Sequence, residues 1–227
     1  MILLLATILP SILIVLFFVN SDKFKEPTGE ILKVFFFGII IAFPAFYLNG
    51  YLGSVFRSAQ LSEALISSFF TAAPVEEGLK ILLLYYFVYK MKDFNEPIDG
   101  IVYGVCASLG FATLENIYYV YFLADYFNTT SMNLAIARSF TAVPAHALFG
   151  ATMGYFFMKY AFIKKGDNLF FAFIIPYTLH GCYNLFMTSN FIVTIMLILV
   201  SWIIVLRLFS KLKKIQKKKK KEYEKKI

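Results

Sequence analysis

The sequence predicts an all-α fold, specifically a polytopic membrane helix bundle of about seven transmembrane helices. Hydrophobic residues make up 59% of the 227 residues, charged residues make up 16%, and the mean hydropathy is +0.70. Soluble domains are about 45–50% apolar and about 25% charged. The apolar residues also gather into stretches of about 20, the length that a helix needs to cross a bilayer. These two observations exclude a water-soluble globular domain as the first interpretation.

Seven apolar segments are candidate membrane-spanning helices. The first lacks a basic leader and a small-residue cleavage site, so we interpret it as a helix and not as a signal peptide. The third is interrupted by Pro74. In chain order the segments cover about 1–20, 33–53, 61–89, 98–124, 134–162, 169–187 and 191–209. They predict one polytopic domain over residues 1–210, followed by a Lys-rich tail at 211–227.

The distribution of lysines predicts the orientation. Lysines are concentrated in the connections after the first, third and fifth segments and in the tail, whereas the alternate connections carry little positive charge. Cytoplasmic loops are enriched in Lys and Arg, so we expect the N-terminus outside and the tail in the cytoplasm of a bacterial cell. If Pro74 divided the third segment into two separate crossings, this alternation would fail.

The net positive charge belongs to the tail and not to the body of the protein. Residues 207–227 hold 11 of the 22 Lys and Arg residues but only 2 of the 14 Asp and Glu residues. We expect the tail to lie over anionic lipid and fix the topology, although a regulatory or partner-binding role remains an alternative. The rest of the chain is apolar and nearly neutral, so we expect it to contact the lipid bilayer and not to bind nucleic acid.

Ionisable and amide side chains occur inside four consecutive segments, where they are costly and usually mark function. At about 1.5 Å per residue they lie between the middle of the bilayer and its outer leaflet, so we expect them to form one site. Arg57, Glu63 and Arg138 lie near segment ends and are expected to be solvated. The site candidates, which include both histidines of the chain, are Glu76, Glu77, Lys80, Glu115, Asn116, His146, His180 and Asn184.

Helical spacing leaves the roles of the two adjacent glutamates open. Lys80 is four residues after Glu76 and three after Glu77, so it can pair with either carboxylate. Neighbouring residues on a helix diverge by about 100°, so the two glutamates need not share a role.

Rows of small residues predict close packing between the fourth and fifth segments. Such packing would press Glu115 and His146 into the interior of the bundle. The rows are Gly100, Gly104 and Ser108 in one segment, and Ala142, His146, Gly150 and Gly154 in the other.

Buried carboxylates and imidazoles suit hydrolysis by general acid–base catalysis. The sequence contains neither the G-x-S-x-G pattern of serine hydrolases nor the H-E-x-x-H pattern of zinc proteases. We therefore expect no cofactor, although the ligand types, one Glu and two His, leave a metal possible.

Four motifs in chain order resemble one protein family. E-E-x-x-K occupies residues 76–80, F-x-x-x-E-N occupies 111–116, Gly150 follows His146 by four, and Asn184 follows His180 by four. Together they resemble the PrsW family of bacterial glutamic-type intramembrane proteases, distant relatives of the type II CAAX prenyl endopeptidases. In those relatives Lys80 is usually replaced by Arg and Glu115-Asn116 by a His-containing sequence, which argues against a prenyl-protein substrate.

The resemblance implies a catalytic set and a supporting set of residues. One of Glu76 and Glu77 would be the general base and the other would pair with Lys80. The oxyanion would be stabilised by His180 with Asn184, and the water would be positioned by Glu115 and His146. The supporting residues would be Lys80, Asn116, Asn184 and Phe111.

The resemblance also implies a substrate. The enzyme would make the site-1 cut in a membrane-bound anti-sigma factor, on its outer side, which leads to release of an extracytoplasmic-function sigma factor. Two alternatives from other classes are a proton-coupled transporter and a non-catalytic membrane scaffold. We find no pair of inverted repeats of the kind that would favour a transporter.

Overall fold

A computed structural model describes residues 1–163 and 166–224, with side chains described as far as residue 217. The described chain is helical without strands, which confirms the predicted fold class. A π-helix at Ile66–Ala72 and a 3₁₀ turn at Val88–Lys90 accompany the α-helices. The α-helices are α1 (Ile2–Ser21), α2 (Thr28–Phe56), α3 (Glu63–Leu65), α4 (Ala73–Tyr86), α5 (Pro97–Phe122), α6 (Ser131–Phe140), α7 (Ala142–Ile163), α8 (Asp167–Ser189) and α9 (Phe191–Glu224).

Five of these helices are long and apolar enough to cross a membrane, which makes this a multi-pass membrane protein. They are α1, α2, α5, α8 and the Phe191–Lys217 part of α9. The other two predicted spans, 61–89 and 134–162, are each divided into shorter helices. The count of seven spans and the orientation therefore stay predictions. The domain boundary at 210 also stays a prediction, and α9 continues past it as one helix.

Pro74 accounts for the division of the third predicted span. Because proline has no backbone N–H, Pro74 cannot donate the usual bond to the residue four positions earlier. Just before it, the N–H of Ala73 donates instead to the carbonyl of Ser68, five residues back, as in a π-helix. The regular α-helix resumes at Ala73, so Glu76 lies in its first turn and Glu77 directly follows.

The fifth predicted span is divided at Thr141, between α6 and α7. Thr141 donates its N–H to the carbonyl of Ala137 and accepts from the N–H of Ala145, so one residue joins the two helices. Pro144 follows in the first turn of α7, where its missing N–H costs little. The division places His146 near the beginning of α7.

Helix α5 lies at the centre of the bundle. In its most apolar 18-residue window 89% of the residues are buried, against 17–28% in the other four candidate spans. A Cβ atom added to Gly104 would collide with the carbonyl oxygen of Gly150, and one added to Gly154 would collide with the carbonyl oxygen of Gly100. The predicted close packing of α5 on α7 is therefore confirmed.

Candidate active site

A cavity of ≈ 550 Å³ opens between α2, the π-helix, α4 and helices α5 to α8. Most of its wall is apolar, but polar side chains from all seven of these elements converge on it. They include Asn49, Ser68, Thr71, Glu76, Glu115, Arg138, His146, His180 and Asn184. The predicted convergence of polar groups from four separate segments therefore occurs.

Glu77 is the member of the acidic pair that neutralises Lys80. The Lys80 Nζ atom lies 2.8 Å from Glu77 Oε1, and the side chains are 1% and 0% exposed. Lys80 Nζ also lies 4.5 Å from the centroid of the Phe111 ring, which gives the predicted supporting residue a cation–π contact. The spacing allowed either glutamate to pair with Lys80, and the geometry selects Glu77.

The same oxygen of Glu77 also contacts His180, whose Nδ1 atom lies 2.8 Å away. A carboxylate accepts hydrogen bonds, so Nδ1 carries the proton and Nε2 of the neutral ring is left with a lone pair. That Nε2 atom lies 4.0 Å from Glu76 Oε2. The ring of Phe149 stacks on His180 with centroids 4.9 Å apart and fixes its plane.

Glu76 faces the cavity from the first turn of α4. Asn49 of α2 donates from Nδ2 to Glu76 Oε1 at 3.2 Å. The other oxygen, Oε2, is buried and has no hydrogen-bond partner among the described residues. Among the described residues, each glutamate thus has one bonded oxygen and one buried oxygen without a partner, but only Glu76 lines the cavity.

His146 is oriented in the same manner by a second carboxylate. Its Nε2 atom lies 3.0 Å from Glu115 Oε2, and its Nδ1 atom lies 3.3 Å from Lys80 Nζ. Ser108 of α5 donates to the backbone carbonyl of His146 at 2.7 Å, which fixes the beginning of α7 against α5. The rings of His146 and His180 are 5.3 Å apart, centroid to centroid.

Arg138 belongs to the site, and the expectation that it is solvated near the interface is wrong. Its Nη2 atom lies 2.7 Å from Glu115 Oε2, its Nε donates to Asn116 Oδ1 at 2.7 Å, and its side chain is only 12% exposed. Its guanidinium also lies over the Tyr119 ring, 4.0 Å from the centroid. The break at Thr141 allows α6 to lie back over the end of α5, which brings Arg138 to Glu115.

One sequence signal could have identified Arg138. It is the only Lys or Arg between positions 93 and 158, and Glu115 lies in that interval. A buried carboxylate needs a counter-charge, so the only cation nearby in sequence was a candidate partner. Arg57 and Glu63, by contrast, are exposed as expected.

The remaining supporting residues differ in how directly they reach the cavity. Asn184 lines it, one helical turn after His180. Asn116 is buried and bonded to Arg138, so it holds the arginine and does not itself line the cavity.

Three of the residues fit a divalent metal ion. Glu76, His146 and His180 are buried, and each offers one ligand atom within 4.8 Å of those of the other two. One carboxylate and two imidazoles form the ligand set of many catalytic zinc sites. The unpartnered Oε2 of Glu76 and the Glu77 carboxylate on Nδ1 of His180, which leaves Nε2 for a metal, also match such sites.

Comparison with known proteins gives a consistent family assignment. Residues 26–209 match the family model described as PrsW family intramembrane metalloprotease. The chain is 36% identical over 182 residues to Protease PrsW of Geobacillus kaustophilus, which covers 79% of this chain and 76% of that protein. It is 35% identical over 230 residues to Protease PrsW of Clostridioides difficile, covering 96% and 93%. Protease PrsW of Bacillus subtilis is 32% identical over 188 residues, covering 81% and 82%. No solved structure matches the chain.

Proposed function

Because the chain belongs to the PrsW family of intramembrane proteases and is therefore a peptide hydrolase, we propose that it hydrolyses a membrane-anchored protein in the cavity that contains Glu76. Membership in a protease family disfavours the transporter and scaffold alternatives. The observation that carries the proposal is that Glu76, and not Glu77, lines the cavity, with its buried Oε2 4.0 Å from His180 Nε2 and without a hydrogen-bond partner among the described residues.

In this proposal Glu76 accepts a proton from the attacking water. Glu77 is held by Lys80 and His180 and does not line the cavity, so Glu76 is the glutamate that can reach the water. Glu77 instead fixes the tautomer of His180, so that Nε2 faces Glu76. Proton transfer by a positioned carboxylate contributes about 10²–10⁴-fold to a rate.

The pair of Glu115 and Arg138 positions His146 in the same scheme. Arg138 holds Glu115 in place, and Glu115 orients the ring so that Nδ1 faces the site. Lys80, which lies beside that nitrogen, provides the positive charge nearest to the position where an oxyanion would form. Asn184, one turn from His180, is a further hydrogen-bond donor on the cavity wall.

The family description names a metalloprotease, whereas the sequence resemblance implied a glutamic-type enzyme without a cofactor. We propose that Glu76, His146 and His180 would hold the metal, since their ligand atoms converge; with a metal bound, Glu76 would be a ligand in place of the general base. When bound, a divalent cation supplies Lewis-acid polarisation of the scissile carbonyl. Metal content of Glu76→Gln and His180→Ala proteins, measured by elemental analysis, tests this ligand set separately from activity.

The substrate proposal rests on the resemblance: the enzyme makes the site-1 cut in a membrane-bound anti-sigma factor and so leads to release of an extracytoplasmic-function sigma factor. Phe127, in the loop after α5 that the lysine distribution predicts to be outside, is part of the cavity wall. A cut near the outer surface of the membrane is consistent with that position.

The decisive experiment incubates the purified protein with a membrane-anchored anti-sigma factor and maps the cut by mass spectrometry. We expect a single cut near the outer end of the substrate helix, and a loss of at least about 10²-fold in rate for Glu76→Gln. Glu63→Gln, which changes an exposed glutamate, is the matched control and should cleave normally. Cleavage by Glu76→Gln at the wild-type rate would refute the role of Glu76.

A further inference from the structure

A second cluster of carboxylates lies at the opposite end of α5 from the cavity. Asp22 follows α1, Glu26 lies in the loop before α2, and Asp99 lies in the first turn of α5. They are 4%, 8% and 0% exposed, and each offers one oxygen within 4.8 Å of those of the other two. Asp99 and Glu115 are separated by 16 residues of one helix. This places the cluster about 24 Å from Glu115 along α5.

Neutral donors hold one oxygen of each carboxylate. Asp99 Oδ2 accepts the backbone N–H groups of residues 95 and 96 at 2.9 and 2.6 Å. Tyr103 donates its hydroxyl to Glu26 Oε2. Asp22 Oδ1 accepts the N–H of residue 24 at 3.0 Å and the amide of Gln216, from α9, at 2.8 Å. These bonds orient the three carboxylates without neutralising them.

The remaining oxygens point to a missing cation. Asp22 Oδ2, Asp99 Oδ1 and Gln216 Oε1 are buried and have no hydrogen-bond partner within the described part of the chain. In that same part, no Lys or Arg forms an ion pair with any of the three carboxylates. Charged groups left buried without a counter-charge are strongly unfavourable.

We propose that Asp22, Glu26 and Asp99 bind a divalent cation of the Ca²⁺, Mg²⁺ or Mn²⁺ class, at a structural site separate from the catalytic cavity. Carboxylate and amide oxygens are the ligands that these hard cations prefer, whereas zinc and copper sites are usually rich in nitrogen or sulfur. The amide of Gln216 contacts Asp22 through its nitrogen, and its buried oxygen has no hydrogen-bond partner among the described residues.

The cation would connect parts of the chain that are far apart in sequence. The loop at residues 22–27 and the first turn of α5 supply the carboxylates. Gln216, 194 residues after Asp22, adds a contact from α9. We expect the site to stabilise the end of the bundle that carries the tail. It is not expected to take part in hydrolysis.

The test counts Mn²⁺ bound to the full chain in detergent micelles, by the loss of the free-ion signal in electron paramagnetic resonance. A Glu76→Gln, His180→Ala background removes the ligands proposed in the cavity. We expect one Mn²⁺ per chain in this background and none after the further change Asp99→Asn. Asp167→Asn, which alters an exposed aspartate in the first turn of α8, is the matched control and should leave one Mn²⁺ bound.

A second measurement keeps the test decisive if Asp99→Asn does not fold. Ca²⁺ or Mg²⁺ should raise the melting temperature of the wild-type chain by several degrees, and Glu26→Gln, which keeps an acceptor for Tyr103, should reduce that rise. Absence of bound Mn²⁺ in the double-variant background would overturn the proposal. It would mean instead that the carboxyl groups share protons.

Discussion

At the residue scale, each histidine of the cavity has a carboxylate on one ring nitrogen and presents the other nitrogen toward Glu76 or Lys80. Glu77 holds His180 through Nδ1, and Glu115 holds His146 through Nε2. Such partners fix the tautomer and the orientation of the ring. The two glutamates of the E-E motif therefore have different roles. Glu77 orients a histidine, and Glu76 faces the cavity.

Removing the charge of Glu77 should destabilise the protein. Glu77→Gln leaves the ammonium of Lys80 buried without its counter-ion, which typically costs about 3–5 kcal/mol. The double variant Glu77→Gln, Lys80→Met removes both charges and should recover much of that stability but no activity. Thermal unfolding and the cleavage assay measure the two effects separately. If the loss of stability in the double variant equals the sum of the losses for Glu77→Gln and Lys80→Met alone, the pair is not coupled as the geometry requires.

Arg138 acts as a positioning residue, since it reaches His146 only through Glu115. Arg138→Lys keeps the charge but cannot bond Glu115 and Asn116 together, so we expect kcat to fall by about 10- to 100-fold, as for other outer-shell partners. KM should change little, and Arg138→Ala should be worse than Arg138→Lys. Arg57→Ala, at an exposed arginine, is the control. A wild-type kcat for Arg138→Lys would argue against a need for the contact with both Glu115 and Asn116, and equal losses for the Lys and Ala variants would mean that the charge contributes nothing.

Most residues of the site could be predicted from the sequence because an ionisable group in a long apolar stretch is conspicuous. Arg138 could not be placed in this way, since a charge close to a segment end is ordinarily solvated. Its burial depends on a helix break at Thr141 that brings α6 over α5. The choice between Glu76 and Glu77 as the partner of Lys80 likewise needed side-chain geometry, because both spacings are compatible with a helix.

At the scale of the elements, contacts between backbones set the position of the site. On α7, a Cβ added to Gly150 would meet the carbonyl oxygen of Gly104 and the Cβ of Ser108. Ser108 also donates a hydrogen bond to the carbonyl of His146, so the packing of α5 on α7 also sets the position of His146.

Gly150→Ala should therefore lower the melting temperature, because a helix backbone cannot move aside as a flexible side chain can. Overpacking of this kind costs about 1–3 kcal/mol. Gly53→Ala, within α2 and with nothing within 4 Å of the added Cβ, is the matched control and should be neutral or stabilising. Equal melting temperatures for the two variants would contradict the close packing.

Hydropathy predicted the long helices well and the divided ones poorly. The boundaries of α1, α5 and α8 lie within a few residues of those predicted, because a uniformly apolar segment has clear ends. The division at Pro74 had a visible chemical cause. The division at Thr141 also has a proline, Pro144, three residues later, but the direction in which α6 folds depends on neighbours that a local pattern does not contain.

At the scale of the whole molecule, the lysine distribution predicts which surfaces face the cytoplasm. In a Cys106→Ala, Cys182→Ala background, a membrane-impermeant maleimide should label Ser58→Cys and Tyr126→Cys in intact cells. It should label Lys214→Cys only after the membrane is opened. All three substituted positions are exposed, so accessibility reports sidedness. Labelling of Ser58→Cys and Tyr126→Cys from opposite sides would refute the seven-span topology, because that topology places both outside.

The enclosed position of α5 has a consequence for how the protein is made. This helix emerges from the ribosome before α7, yet its glycine-lined face and Glu115 suit a neighbouring helix and not acyl chains. A nascent chain interrupted before α7 would leave this face exposed to lipid or to the insertion machinery. We expect such truncated chains to be retained by membrane chaperones or degraded. Synthesis of α7 would then be required before the protein can accumulate in the membrane.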